Sequence, residues 1–143
     1  MSERSILFLC TGNSCRSQMA EGWTRHLHGD RVAAYSAGVE THGLNPRAVA
    51  VMREAGVDIS GQESQHVDEF TDLAPDLVVT VCDHAAERCP VLPGAARTIH
   101  HRFDDPARAT GDEDTVLGEF RRVRDEIRDF VRTLPELLGE AGS

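Results

Sequence analysis

The sequence predicts an α/β fold: a single-domain, three-layer α/β/α sandwich around a mostly parallel sheet of about four strands. Short continuous apolar runs of strand length alternate with amphipathic stretches of helical period. The first run passes directly into a glycine-containing loop and then a helix, as a strand buried on both faces of a parallel sheet does. The length, 143 residues, suits one core and one domain spanning 1–143.

The elements follow in order. Residues 5–9 (SILFL) form the first strand. From Ser17 to His28, Met19, Ala20, Trp23 and Leu27 recur at helical spacing, and Gly29 supplies a stop. Residues 32–37 (VAAYSA) read as a second strand; Asn45 caps a helix that has Pro46 at its first position and Gly56 beyond its end. Ser64 opens a weaker helical stretch with Val67, Phe70 and Leu73 on one side, which Pro75 breaks before a strand over 77–81. A short fourth strand is expected over 97–101, and 107–114 is expected to be a surface loop. Val116, Phe120, Val123, Ile127, Val131, Leu134 and Leu138 make the apolar stripe of a last helix that Pro135 should kink or end.

Composition narrows the function. The formal net charge is −9, and every one of the 15 basic residues is arginine, which argues against a nucleic-acid or anionic-membrane surface while permitting a local basic pocket. The longest early apolar run, Ile6 to Cys10, is too short for a signal-peptide core or a membrane span, so a soluble cytoplasmic protein is expected. In that compartment the 4 cysteines point to redox chemistry or metal binding before structural staples.

The stretch LCTGNSCRS (9–17) concentrates the chemistry. A strand, a glycine-containing loop and a helix start let backbone N–H groups converge on an anion, aided by the positive end of the helix dipole. Arg16 can grip two oxygens of a tetrahedral oxyanion, and the same positive field favours the thiolate of Cys10. Ser17 either donates to that thiolate or merely starts the helix. The Cys-x5-Arg spacing is weak alone, and its context carries it; the plain alternative is a buried cysteine at a strand end with Arg16 on a solvated face.

Cys82 follows the strand at 77–81, and Cys89 lies in the same CDHAAERCP segment. Carboxyl ends of parallel strands share one sheet edge, so Cys10 and Cys82 should emerge together, with Asp104 and Asp105 after the next strand offering a general acid. Zinc held by Cys82, His84, Cys89 and His100 or His101 competes, but its spacing is longer than a usual zinc knuckle. Two ordinary loop cysteines are a further alternative. His26, His28, His42 and His66 are read as surface residues without a role, and Cys15 as packing behind the loop.

CTGNSCRSQMAEG, YSAGVETHGLNP, DLVVTVCDHAAERCP, FDDPA and EFRRVRDEI are collinear motifs covering most of the chain. Together they resemble the low-molecular-weight tyrosine phosphatase fold and, more closely, the thioredoxin-coupled arsenate reductase family built on it. The resemblance implies that Cys10 is the nucleophile and Asp105 the general acid. It further implies that Thr11, Gly12, Asn13, Ser14, Cys15, Arg16 and Ser17 form the arsenate-binding loop. Asp104 is then a helper or a structural neighbour. It also implies a disulfide relay from Cys10 to Cys82 to Cys89 ending on thioredoxin, with the 82–89 segment unwinding a helical turn. A monomer without bound cofactor is expected.

A tyrosine phosphatase of the same fold is the alternative. It would leave Cys82 and Cys89 idle, and it usually has aromatic residues after the Asp-Pro where this chain has Ala107 and Arg108. A non-catalytic anion sensor or a mycothiol- or glutathione-linked reductase accounts for fewer of these residues. Some relatives hold a monovalent cation through residues matching Asn13, Glu21, Ser36 and an acid where this chain has Gln65, so no required metal is expected.

Overall fold

The computed structural model describes residues 4–82, 95 and 97–138. Strands β1 (Arg4–Cys10), β2 (Val32–Gly38), β3 (Leu77–Thr80) and β4 (Thr98–His100) form one sheet in the order β2-β1-β3-β4, with every pairing parallel. β1 is central, and its last five residues are all buried, as an uninterrupted apolar run between two layers requires. β4 is the edge strand and alternates exposed and half-buried residues.

Alternate residues of the strands feed two cores. Ile6, Phe8, Val32, Ala34, Leu77 and Val79 face α1 (Arg16–His28), α2 (Pro46–Glu54) and α3 (Glu113–Val131). Leu7, Leu9, Ala37 and Val78 face the other way, where the 3-10 turn Val67–Phe70 supplies Val67 and Phe70. Among the described residues that turn is the third layer, in place of the helix expected from Ser64. His66 is the reason it starts there: its ring accepts from Asp68 N while Glu69 bonds back to the His66 amide, a capping box that fits a single tight turn.

The last helix is two. α3 buries Val116, Phe120, Val123, Ile127 and Val131, each contributing about 1.5–3 kcal/mol when fully removed from water. It ends four residues before Pro135, which sits in the first turn of a one-turn helix α4 (Leu134–Leu137). Asn45 caps α2 as expected, with Oδ1 accepting from Arg47 N at 2.8 Å. The 107–114 segment is not a loop throughout. Ala107 and Arg108 belong to a 3-10 turn, Pro106–Arg108, and Asp112 caps α3 through Thr115 N at 2.8 Å. Gly29 ends α1 in right-handed geometry, its absent side chain leaving room for Arg25 O, which a Cβ would meet at 2.3 Å. No helix among the described residues is long and apolar enough to cross a membrane.

Candidate active site

Cys10 ends β1, and the chain beyond it curls because its carbonyls find partners outside the sheet. Thr11 O accepts from Glu40 N at 3.0 Å and Ser14 O from Asn45 N at 3.0 Å. Gly12 O accepts from His42 N at 3.0 Å and Ser64 Oγ at 3.2 Å, and Asn13 O from Gln18 Nε2 at 3.1 Å. In a trans peptide plane each N–H points opposite the preceding carbonyl, so the amides of Gly12 to Cys15 turn away from these outer partners. Gly38 at the end of β2 makes the close packing possible, since a Cβ there would meet Thr11 O at 2.6 Å and Cys10 O at 2.8 Å. Asn13 takes left-handed geometry (φ 49°), a conformation asparagine tolerates better than most residues.

The loop runs straight into α1. Cys15 occupies its N-cap without a side-chain capping bond, and the first turn carries no acidic residue, an arrangement suited to an incoming anion. Arg16 is only 3% exposed; its Nη1 donates to Phe103 O at 3.3 Å and its Nη2 lies 3.6 Å from Asp105 Oδ2. Ser17 Oγ is 2.9 Å from Cys10 Sγ and accepts from Asn13 Nδ2 at 2.8 Å, so Ser17 touches the thiol and does more than start the helix.

Cys10, Thr11, Gly12, Ser14, Cys15 and Arg16 line a cavity of about 330 Å³ together with His42, Asp105, Ala107 and Arg108. That is near the small end of the range for small-molecule sites, about 300–1,000 Å³. Asp105 is held there by capping the 3-10 turn through Ala107 N at 3.0 Å, with Pro106 fixing the backbone direction. Arg108 Nε stands 3.8 Å from Asp105 Oδ2. Asp104 points elsewhere, pairing with Arg102 and Arg122 at 3.0 Å each, and the Arg122 hydrogen bond holds its carboxyl below the usual range. It is a structural neighbour.

Cys15 is 3% exposed, and burial, reinforced by the charges of Asp105 and Cys10, pushes its thiol up to about 12. It stays protonated at any physiological pH. Cys82 is fully buried beyond β3, whose register sets Leu9 of β1 beside Thr80, so Cys10 and Cys82 do leave the same sheet edge. Cys10 and Cys15 are free thiols, whereas Cys82 is disulfide-bonded. Cys89 and His84 lie outside the described residues, as does the expected unwinding of 82–89.

The remaining zinc candidates are engaged otherwise. His100 Nδ1 sits 2.7 Å from Thr80 Oγ1, and His101 packs on Phe103 and Phe130 at 4.6 and 4.4 Å between ring centroids. Among the described residues no group of three or more His, Cys, Asp or Glu side chains could hold a metal ion. At the cation position suggested by resemblance, both Glu21 oxygens are taken: Ser36 Oγ donates to Oε1 at 2.6 Å and Arg25 Nη2 lies 2.8 Å from Oε2. Burial raises the Glu21 carboxyl above its ordinary value despite both partners.

One histidine departs from the surface reading: His28 is buried, with Nε2 2.9 Å from Val131 O. His42 is exposed, as the surface reading has it, and also forms part of the cavity wall. Nothing in the spacing marks His42, because it arrives through backbone pairing of the 38–42 loop with the 11–12 turn. Gln18 is equally silent in the sequence: it lies outside the apolar stripe of Met19, Ala20, Trp23 and Leu27, yet it is fully buried.

A parallel α/β sandwich whose central strand ends in a cysteine, with an anion-facing loop and a buried arginine at the next helix, defines the low-molecular-weight phosphatase class of fold. The chain belongs to the family described as low molecular weight phosphotyrosine protein phosphatase, whose model matches residues 5–142. Within it the chain is similar to the arsenate reductases of Halalkalibacterium halodurans and Bacillus subtilis, each 52% identical over 136 residues that cover 95% of this chain and 98% of the relative. A solved arsenate reductase in the phosphate binding state superposes with a TM-score of 0.74 at 31% identity, covering 94% of this chain and 98% of that one.

Proposed function

We propose that this protein is a cytoplasmic, monomeric arsenate reductase that works in arsenic detoxification through a disulfide relay regenerated by thioredoxin. The observation that carries the reading is the combination of Cys10 beneath an arginine-bearing oxyanion loop with a second cysteine, Cys82, at the neighbouring strand end on the same sheet edge. The relatives of like length named as arsenate reductases support the substrate.

The Cys10 thiolate attacks arsenic, and an oxygen leaves as water with a proton from Asp105, giving a thiol-arsenate adduct. Arg16 and the loop amides neutralise the oxyanion as charge develops. Cys82 then attacks the Cys10 sulfur; the sulfur–arsenic electron pair stays on arsenic, so arsenate is reduced by two electrons to arsenite while a Cys10–Cys82 disulfide forms. Cys89 attacks Cys82 and frees Cys10 as thiolate, and the dithiol of thioredoxin reduces the remaining disulfide.

The phosphatase reading draws support from the family model, and the shared loop chemistry supports weak hydrolysis of small aryl phosphates. Against a phosphotyrosine substrate stands the stretch of cavity wall after Asp105-Pro106, which carries Ala107 and Arg108 and no aromatic side chain to pack on a phenol ring. Arsenate-dependent NADPH oxidation with thioredoxin and thioredoxin reductase, run beside aryl phosphate hydrolysis, separates the two. Sustained NADPH consumption supports the reductase; efficient aryl phosphate turnover without it overturns that reading.

A further inference from the structure

Behind the loop, away from the cavity, four polar side chains join Cys10 to the 62–65 segment. Gln62 Nε2 donates to Gln18 Oε1 at 2.7 Å, Gln18 Nε2 to Asn13 Oδ1 at 3.1 Å, and Asn13 Nδ2 to Ser17 Oγ at 2.8 Å. Ser17 Oγ stands 2.9 Å from Cys10 Sγ. Amide oxygen and nitrogen are alike in shape, but backbone groups fix each orientation here. The Gln65 N–H, 2.7 Å from Asn13, can only donate, so that atom is Oδ1. The Glu63 carbonyl, 2.9 Å from Gln18, can only accept, so that atom is Nε2. The Gln18 carbonyl, 3.0 Å from Gln62, requires Nε2 in the same way.

All three amides therefore point one way along the chain. Ser17 oxygen is held from behind by the Asn13 amide, and once Cys10 is ionised the only hydrogen between the two is the Ser17 hydroxyl's. Donation to the charged form favours it. Gln18 and Asn13 are both fully buried, so a broken link leaves unpaired polar atoms with no water to replace it.

We infer that Gln18, oriented by Gln62, is a positioning residue that, together with the Gln65 N–H, holds the Asn13 amide and through it the Ser17 hydroxyl in the direction that raises the fraction of Cys10 present as thiolate. The inference rests on Cys10 being the nucleophile of the proposed reaction. Its readout is the thiol itself, so it is testable whether or not arsenate is reduced.

The test is the pH profile of Cys10 alkylation by iodoacetamide in the reduced full chain, followed on the Cys10 peptide by mass spectrometry. Gln18→Met, Gln62→Met, Ser17→Ala and the Gln18→Met/Ser17→Ala double variant are compared with the parent. The charged and titratable groups around Cys10, namely Cys15, Arg16, His42, Asp105, Arg108 and Cys82, are the same in all of them. Gln18→Met should move the midpoint to higher pH and slow alkylation at neutral pH by up to about tenfold. Gln62→Met, at a half-buried position outside the loop, should move it the same way by less. In the Ser17→Ala background Gln18→Met should add nothing. An unchanged midpoint in folded Gln62→Met and Gln18→Met proteins, judged by circular dichroism, overturns the inference; so does a Gln18→Met shift that persists undiminished without Ser17.

Discussion

Asp104 and Asp105 are adjacent in sequence and opposite in circumstance, and the difference is decided by what each carboxylate touches. Asp105 pairs with Arg16 in the cavity lining while capping a 3-10 turn; Asp104 is tied to the exposed Arg102 and Arg122. Asp105→Asn should lower arsenate turnover by about 100-fold, the usual scale for a lost general acid, and Asp104→Asn should leave it within about twofold. Steady-state assays of both variants decide this; equal losses would reject the assignment of the acid. Cys10→Ser should abolish reduction altogether. Cys15, whose thiol is pushed up to about 12 chiefly by burial, should resist iodoacetamide at pH 8 under conditions that label Cys10, because it is both shielded and held protonated. Peptide mapping after a timed pulse measures both sites, and rapid Cys15 labelling in the folded protein would contradict its burial.

At the scale of elements, the packing of α1 against β2 carries an electrostatic cost. Glu21 of α1 is buried against Ser36 of β2, and its carboxyl is raised above the ordinary value chiefly by burial. A carboxyl that holds its proton more tightly folded than unfolded contributes fully below the unfolded pKa, and that contribution is lost as pH rises through the folded pKa. Glu21→Gln keeps an acceptor for Ser36 and removes the buried charge. It should raise Tm at pH 7 relative to the parent, with the gap closing as pH falls toward 4. Thermal melts at the two pH values test this; a gap that widens in acid rejects it. α2 offers a simpler case: Asn45→Ala removes the cap on Arg47 N and should cost about 1 kcal/mol in urea melts, with the helix otherwise intact.

For the whole molecule, the sheet order matters most. Because β1 and β3 are parallel neighbours, their carboxyl ends bring Cys10 and Cys82 to one edge across some seventy residues of sequence. Under the proposed relay, Cys89→Ser should complete at most one turnover and stall as a Cys10–Cys82 disulfide visible by mass spectrometry. Sustained thioredoxin-driven turnover by that variant would falsify the relay. Net charge offers a contrast with the local field: the protein carries −9 overall, yet the loop should take up a dianion. Sulfate or phosphate should compete with arsenate and stabilise the fold by about 2.7 kcal/mol at a hundredfold excess over Kd, an effect that Arg16→Ala should erase. Calorimetric melts with and without sulfate check it.

The sequence by itself determined the alternation of strands and helices, the Asn45 cap, the stripe of the last helix, and the loop with Cys10 and Arg16, because each is written in local period or in neighbouring residues. The tertiary structure alone decided that the stretch from Ser64 is one capped turn, that His42 lines the cavity, and that Gln18 reaches Asn13. Those outcomes depend on which distant backbone groups arrive to accept or donate. A short polar residue near a turn has several local choices, and only the packed chain leaves it one.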